Sequence, residues 1–246
     1  MSLEIIPVKI DKEIEQNDDI SELILASTSK LEIKDNDILI ATQKIISKQE
    51  GRTVQLSTIT PSLLATGIGS EYGKDPRVVQ KILDESKRIV RLNDGIIISE
   101  TIHGFVCANA GVDESNVKRG YVTLLPKDAN ASAQKLRASI MKKTGKNVAI
   151  IISDTFGRPL RMGQTNCAIG LAGISAIADY IGTKDSFGRV LHVTEIAIVD
   201  EICSASELVM GKSLNTPITI VRNYKFSDSK SDMKDLLRPK NEDLFR

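Results

Sequence analysis

The segment Ser153-Asp154-Thr155-Phe156-Gly157-Arg158-Pro159 places an acid and a hydroxyl directly after the hydrophobic run Val148-Ala149-Ile150-Ile151-Ile152. Two basic groups, Arg158 and Arg161, follow on a backbone freed by Gly157 and Gly163. A guanidinium offers paired donors that match carboxylate or phosphate, so this loop can grip a multiply charged anion. A second acid, Asp113, closes the run Asn109-Ala110-Gly111-Val112. If both acids sit at strand ends of one sheet, their carboxylates converge on a divalent cation, with the Thr155 hydroxyl as a further hard oxygen. Magnesium or manganese held this way typically completes its shell with nucleotide phosphates. The same residues also fit a structural role, Asp113 capping a turn and Asp154 capping a helix at Thr155.

Other groups are less specific. Lys44, Lys48 and Arg52 recur at helical spacing, either to neutralise phosphates or as a plain charged face. Asp179 to Arg189 is a polar loop punctuated by Gly182 and Gly188, with Lys184 and Arg189 open to anions or simply solvated. His103 is a loop residue or a neighbour of the Asp113 site. Cys107, Cys167 and Cys203 are odd in number and widely spaced, which argues against a disulfide framework. With two histidines and no CxxC, a zinc site is not indicated, and any catalytic metal rests on oxygen.

Strands and helices must position these residues. Strands are expected over residues 3–8, 37–41, 96–98, 105–108, 148–152 and 218–221. Helical apolar spacing runs over 20–31. Asp75-Pro76 signals a long helix with Val78, Val79, Ile82, Leu83, Ile89 and Val90 on one face. Another helix covers 128–144, with Leu136 and Ile140 inward and Gly145 as its C-terminal cap. A last one covers 194–210. Asn93-Asp94-Gly95 makes a turn. From Ser227 the chain becomes charged and serine-rich, with room for a helical turn or two at 233–237. The alternation is α/β or mixed α+β, and with neither a first-strand GxGxxG nor a GxxxxGK[ST] it is neither Rossmann nor P-loop.

The chain has 246 residues, enough for one large domain or two small lobes. Its 33 basic and 32 acidic residues leave a net charge of +1, giving no field for nucleic acid. No run approaches the roughly 20 apolar residues of a membrane span, and the first residues show no signal-peptide pattern. A cytoplasmic protein without membrane or nucleic-acid partners is expected.

Taken in order, the motifs resemble the coenzyme F420 gamma-glutamyl ligase family. They are Ile46-Ser47-Lys48-Gln49-Glu50-Gly51-Arg52, the Asn109-to-Asn116 segment, Ser153-to-Pro159, Ala168-Ile169-Gly170, the Asp179-to-Arg189 loop and Leu208-Val209-Met210-Gly211. The resemblance spans about residues 3–221. It implies a ligase that adds L-glutamate to the lactyl side chain of a deazaflavin cofactor precursor through an acyl phosphate. GTP and magnesium or manganese are the implied requirements, with potassium as a further candidate. It also implies a two-lobed mixed α/β protomer in an intertwined homodimer, here with a core over residues 1–226 and a charged tail over 227–246.

Carried over by motif, Asp113, Asp154 and Thr155 look like metal ligands. Gln43, Lys44, Lys48 and Asn116 look like nucleotide contacts. The Met210-Gly211-Lys212-Ser213 start of a further loop, and Asp11, Lys12, Glu13 and Ile14, align with two more nucleotide segments. Arg158, Arg161 and Arg189 are candidates to hold the carboxylates of glutamate, on charge alone. Two departures fall on the nucleotide side: Lys212 stands where the family typically has an acidic second-metal ligand, and charged residues 11–13 replace an apolar, proline-containing loop. An alternative is a paralogue that binds the deazaflavin, or a related phosphorylated substrate, without ligating glutamate.

Overall fold

The computed structural model describes residues 2–29, 31–239 and 241–243. Strand β1 (Glu4–Val8) is followed by helix α1 (Ile20–Ser27), β2 (Ile38–Thr42), α2 (Gln43–Gln49) and β3 (Thr53–Gln55). Helices α3 (Leu63–Tyr72) and α4 (Pro76–Asp84) lead to β4 (Ser86–Asn93), β5 (Ile96–Thr101), β6 (Val106–Ala108) and β7 (Tyr121–Thr123). The long helix α5 (Ala129–Thr144) precedes β8 (Ala149–Gly157) and β9 (Gln164–Ala172). Two short strands, β10 (Ala178–Asp179) and β11 (Glu195–Ile196), then α6 (Ile198–Met210) and β12 (Ile218–Arg222), follow.

The architecture is mixed α/β. Five strands form a sheet in the order β1-β12-β2-β8-β9, in which β2 and β8 run parallel and every other pair antiparallel. Ile38, Ile40, Ile150, Ile151 and Ile152 are fully buried, as continuous branched runs are in a sheet covered on both faces. They form the larger hydrophobic cluster with Ile24 of α1, Leu136 and Ile140 of α5, and Val199 and Cys203 of α6. A second cluster gathers Ala65 and Ile68 of α3, Val78, Val79 and Ile82 of α4, Ile97 of β5 and Val122 of β7.

Several local signals hold. Asp128 accepts from the Ala131 N–H and Gly145 takes a left-handed φ of 71°, so α5 is capped at both ends. Gly170 has no room for a side chain: an added Cβ would lie 2.4 Å from the Ala129 carbonyl carbon, where α5 begins against β9. One buried ion pair braces the sheet. Arg222, at the end of β12, donates to both Asp37 oxygens at 2.8 and 2.7 Å and to the Glu32 carbonyl.

Elsewhere the boundaries move. The helix expected to reach Leu31 stops at Ser27, where Thr28 leaves helical geometry as the C-cap with φ of −102° and ψ of 9°. The helix begun at Pro76 ends at Asp84, and Ile89 and Val90 lie instead on β4, partly exposed. A two-residue turn, Asp94-Gly95 with φ of 47° and 74°, folds β4 back onto β5, and hairpin pairing prevails over the helical spacing. Residues 195–196 belong to β11, so the last helix begins at Ile198. Strand β8 runs on through Asp154 and Thr155 to Gly157, so Asp154 caps no helix. The charged tail is docked: Met233, in a single 3-10 turn (Met233–Asp235), is buried in the larger cluster, and Asp228 pairs with Arg137 at 2.8 Å.

Candidate active site

The parallel register sets Thr42 beside Ser153, so β2 enters α2 at the same sheet end at which β8 presents Asp154. A bulge at Ile169 of β9, opposite the Ile152–Ser153 step, shifts the register of β9 against the end of β8. Asp113 arrives from the other side, after Asn109, Ala110 and Gly111 take three successive left-handed φ values of 53°, 51° and 71°. Its backbone pairs with Thr123 at 3.0 and 2.8 Å, fixing the carboxylate over the gap. The end of α6 and the loop after β1 close the other walls. Together they enclose a cavity of about 990 Å³.

Asp113, Asp154 and Thr155 line this cavity with Gln43, Lys44, Lys48 and Asn116. So do Lys12, Glu13, Ile14, Gly211 and Lys212. Asp11 is off the lining, paired with Lys9 at 2.8 Å, and Met210 is buried in the larger cluster. Ser213, Arg158 and Arg161 are also off it, the two arginines on the exposed β8–β9 connection. Arg158 donates to the Met162 carbonyl, which curls that connection on itself. Lys184 and Arg189 lie on another exposed loop, and His103 stacks on Phe105 beside a separate small cavity.

The two acids differ in environment. Asp154 accepts the Thr155 N–H at 2.8 Å. Burial, opposed by that bond and reinforced by the Asp113 charge, pushes its pKa up to about 6. For Asp113 burial acts in the same direction but is outweighed. The Lys44 ammonium and the Ser115 N–H and hydroxyl all bond its carboxylate and hold it below the usual range. Cys107, also on the lining, is pushed up to about 12 by burial and the Asp154 charge, which leaves it a poor nucleophile.

Two carboxylates and a hydroxyl form a hard-oxygen donor set. Among the described residues no three His, Cys, Asp or Glu side chains gather as a self-sufficient metal cage. That set fits magnesium or manganese, which bind through one or two carboxylates and leave the remaining positions to water and phosphate. Thr155 retains a lone pair for this purpose, because its proton goes to Asn166 Oδ1 at 2.7 Å.

Sequence reasoning missed Asn166 and Glu207, both on the cavity lining. Glu207 accepts from Asn166 Nδ2 at 2.9 Å and is ion-paired with Lys212 Nζ at 2.9 Å. The available signal was a lone acid one turn before Gly211 in the otherwise small and apolar stretch of residues 202–210.

A model of the family described as F420-0:Gamma-glutamyl ligase matches residues 8–223, which includes every wall of this cavity. The chain belongs to that family. It is 48% identical over 230 residues to the coenzyme F420:L-glutamate ligase of Methanocaldococcus jannaschii, covering 92% of this chain and 90% of that one. The protein of the same name from Methanothermobacter thermautotrophicus is 44% identical over 93% of both chains. One from Methanococcus maripaludis is 43% identical over all of this chain and 98% of its own. The ligase family is thus matched across both hydrophobic clusters, and no helix among the described residues is long and apolar enough to cross a membrane.

Proposed function

We propose that this chain joins L-glutamate to the lactyl carboxylate of the coenzyme F420 precursor as a gamma-glutamyl amide, with GTP as the energy source and an acyl phosphate as intermediate. The observation that carries the reading is the convergence of Asp113, Asp154, Thr155 and Lys44 on one cavity in a member of this ligase family. The cavity volume of about 990 Å³ suits a nucleotide with part of a second substrate.

A carboxylate attacking a triphosphate brings two anions together, and the residues present answer that problem. Lys44 and Lys48 on α2 and Lys212 after α6 surround the cavity with ammonium groups that offset phosphate charge. Asp113, Asp154 and Thr155 would hold magnesium or manganese, which when bound neutralises developing charge on the transferred phosphoryl group. The precursor's carboxylate oxygen bonds to the γ-phosphorus as GDP leaves. The glutamate amine then bonds to the acyl carbon, inorganic phosphate leaves, and the amine loses a proton. Asp154, with its pKa near 6, is ionised at neutral pH and available as a ligand.

Arg158 and Arg161 belong to the same reading through a homodimer. Beside them on the connection, Leu160 and Met162 are each 92% exposed, apolar side chains that a second copy would cover. In that arrangement the arginines meet the glutamate carboxylates at the protomer boundary, and the two hydrophobic clusters correspond to the two lobes.

The test is incubation with the precursor, L-glutamate, manganese and either GTP or ATP, following nucleoside diphosphate and product mass. A glutamate-dependent mass increase with GTP is expected. No such product with either nucleotide sinks the ligase reading.

A further inference from the structure

Four side chains on the cavity wall close a ring of three hydrogen bonds and one ion pair. Thr155 Oγ1 donates to Asn166 Oδ1 at 2.7 Å, and Asn166 Nδ2 donates to Glu207 Oε2 at 2.9 Å. Lys212 Nζ then forms an ion pair with Glu207 Oε1 at 2.9 Å and donates to Thr155 Oγ1 at 3.0 Å. No group is asked to donate the same proton twice. The ring is anchored on regular structure, since Thr155 and Asn166 face each other across β8 and β9 and Glu207 is in the last turn of α6. Ser204 bonds both the Asn166 carbonyl and the Thr165 hydroxyl, bracing α6 against β9. Gly211, with φ of 59°, turns the chain so that Lys212 comes back over the site.

We propose that Glu207 and Asn166 fix the Lys212 ammonium beside Asp154 and Thr155 as a permanent positive charge, so that the cavity takes one divalent cation and not two. Phosphoryl transfer gains from positive charge on both sides of the transferred group, and two-metal sites supply it with a pair of ions about 4 Å apart. Here Asp113 and Asp154 offer carboxylates for one ion. The two other carboxylates on the lining are each paired with an ammonium, Glu207 with Lys212 and Glu13 with Lys48. A second divalent ion at Glu207 would have to displace the Lys212 ammonium, which stays tethered within a few ångströms and repels it strongly away from bulk water. Two of the three Lys212 N–H groups are engaged in the ring, which leaves the third for a phosphate oxygen. The inference rests on the metal-nucleotide reading above and adds the count of ions to it.

The experiment counts bound manganese per chain by electron paramagnetic resonance, with the full chain and Mn²⁺ alone and then with GDP added. One tightly bound ion per chain is expected in the wild type and in Lys212→Arg. Two are expected in Lys212→Glu, where a new carboxylate joins Glu207. Should that variant fail to fold by circular dichroism, Lys212→Gln takes its place with the same expectation at lower affinity. Two ions in the wild type, or only one in a folded variant lacking the ammonium, overturn the proposal. No bound ion in the wild type under either condition is a separate result, which removes the metal centre and this inference with it.

Discussion

The Lys44 ammonium is hydrogen-bonded to the Asp113 carboxylate, which ties the helix resting on the larger hydrophobic cluster to the loop resting on the smaller one. Asp113 is therefore neutralised before any ligand arrives. Lys44→Met has opposite consequences for the two ligands. Manganese alone should bind several-fold more tightly, since nothing competes for the carboxylate, whereas the KM for GTP should rise about tenfold, equivalent to about 1.4 kcal/mol of lost phosphate contact. Calorimetry for the ion and initial rates for the nucleotide separate the two effects.

Asp154 should give the metal-free protein a distinctive pH dependence. Its pKa rises from the ordinary 3.8 to about 6, so between those values the folded state keeps a proton that the unfolded state has lost. Stability therefore falls as pH increases through that window, by at most about 3 kcal/mol, and below 3.8 the group contributes nothing. Asp154→Asn removes this slope. Urea melts at pH 4 and pH 7 should show the variant equal to wild type at the lower value and more stable at the higher one. In the turnover assay the same variant should be inactive.

The Arg222–Asp37 pair is buried on both sides, and its partners lie 185 residues apart in sequence. Arg222→Met leaves a carboxylate stranded in the core and should cost about 3–5 kcal/mol. Adding Asp37→Asn removes the stranded charge, so the double variant should recover part of that loss. Chemical denaturation of the three proteins gives the coupling.

Two glycines should respond in opposite directions to alanine. Gly170→Ala drives a methyl group into the Ala129 backbone and should destabilise the fold by about 1–3 kcal/mol or more. At Gly67, exposed inside α3, an added Cβ meets nothing within 4 Å. Alanine there should stabilise by about 0.5–1 kcal/mol, because the unfolded chain loses freedom. Thermal melts of the pair provide the comparison.

What was legible in the sequence follows the range of the interactions. Asp128 and Gly145 announced the ends of α5 because capping is decided within four residues. The branched run 148–152 announced a buried strand for the same local reason. Ile89 and Val90 misled, since helical spacing continues on paper where the Asp94-Gly95 turn instead pairs β4 with β5. Asp113 and Asp154 were legible as acids at the ends of apolar runs. Glu207 and Asn166 were not, because their role exists only once α6 packs on β9. The two hairpin arginines looked like part of the Asp154 loop, yet β8 continues to Gly157 and they follow its end, off the cavity lining.

Strand order adds a constraint on how the chain is made. Among the described residues β1 pairs with β12 alone, and β12 separates it from β2. A nascent chain emerging from its amino terminus thus presents a first strand that stays unmatched until residues 218–222 have appeared. The sheet bearing Asp154 can be completed only after β12 has been made, and pairing β1 with β12 closes a loop of about 200 residues, at a higher entropic cost than any local helix.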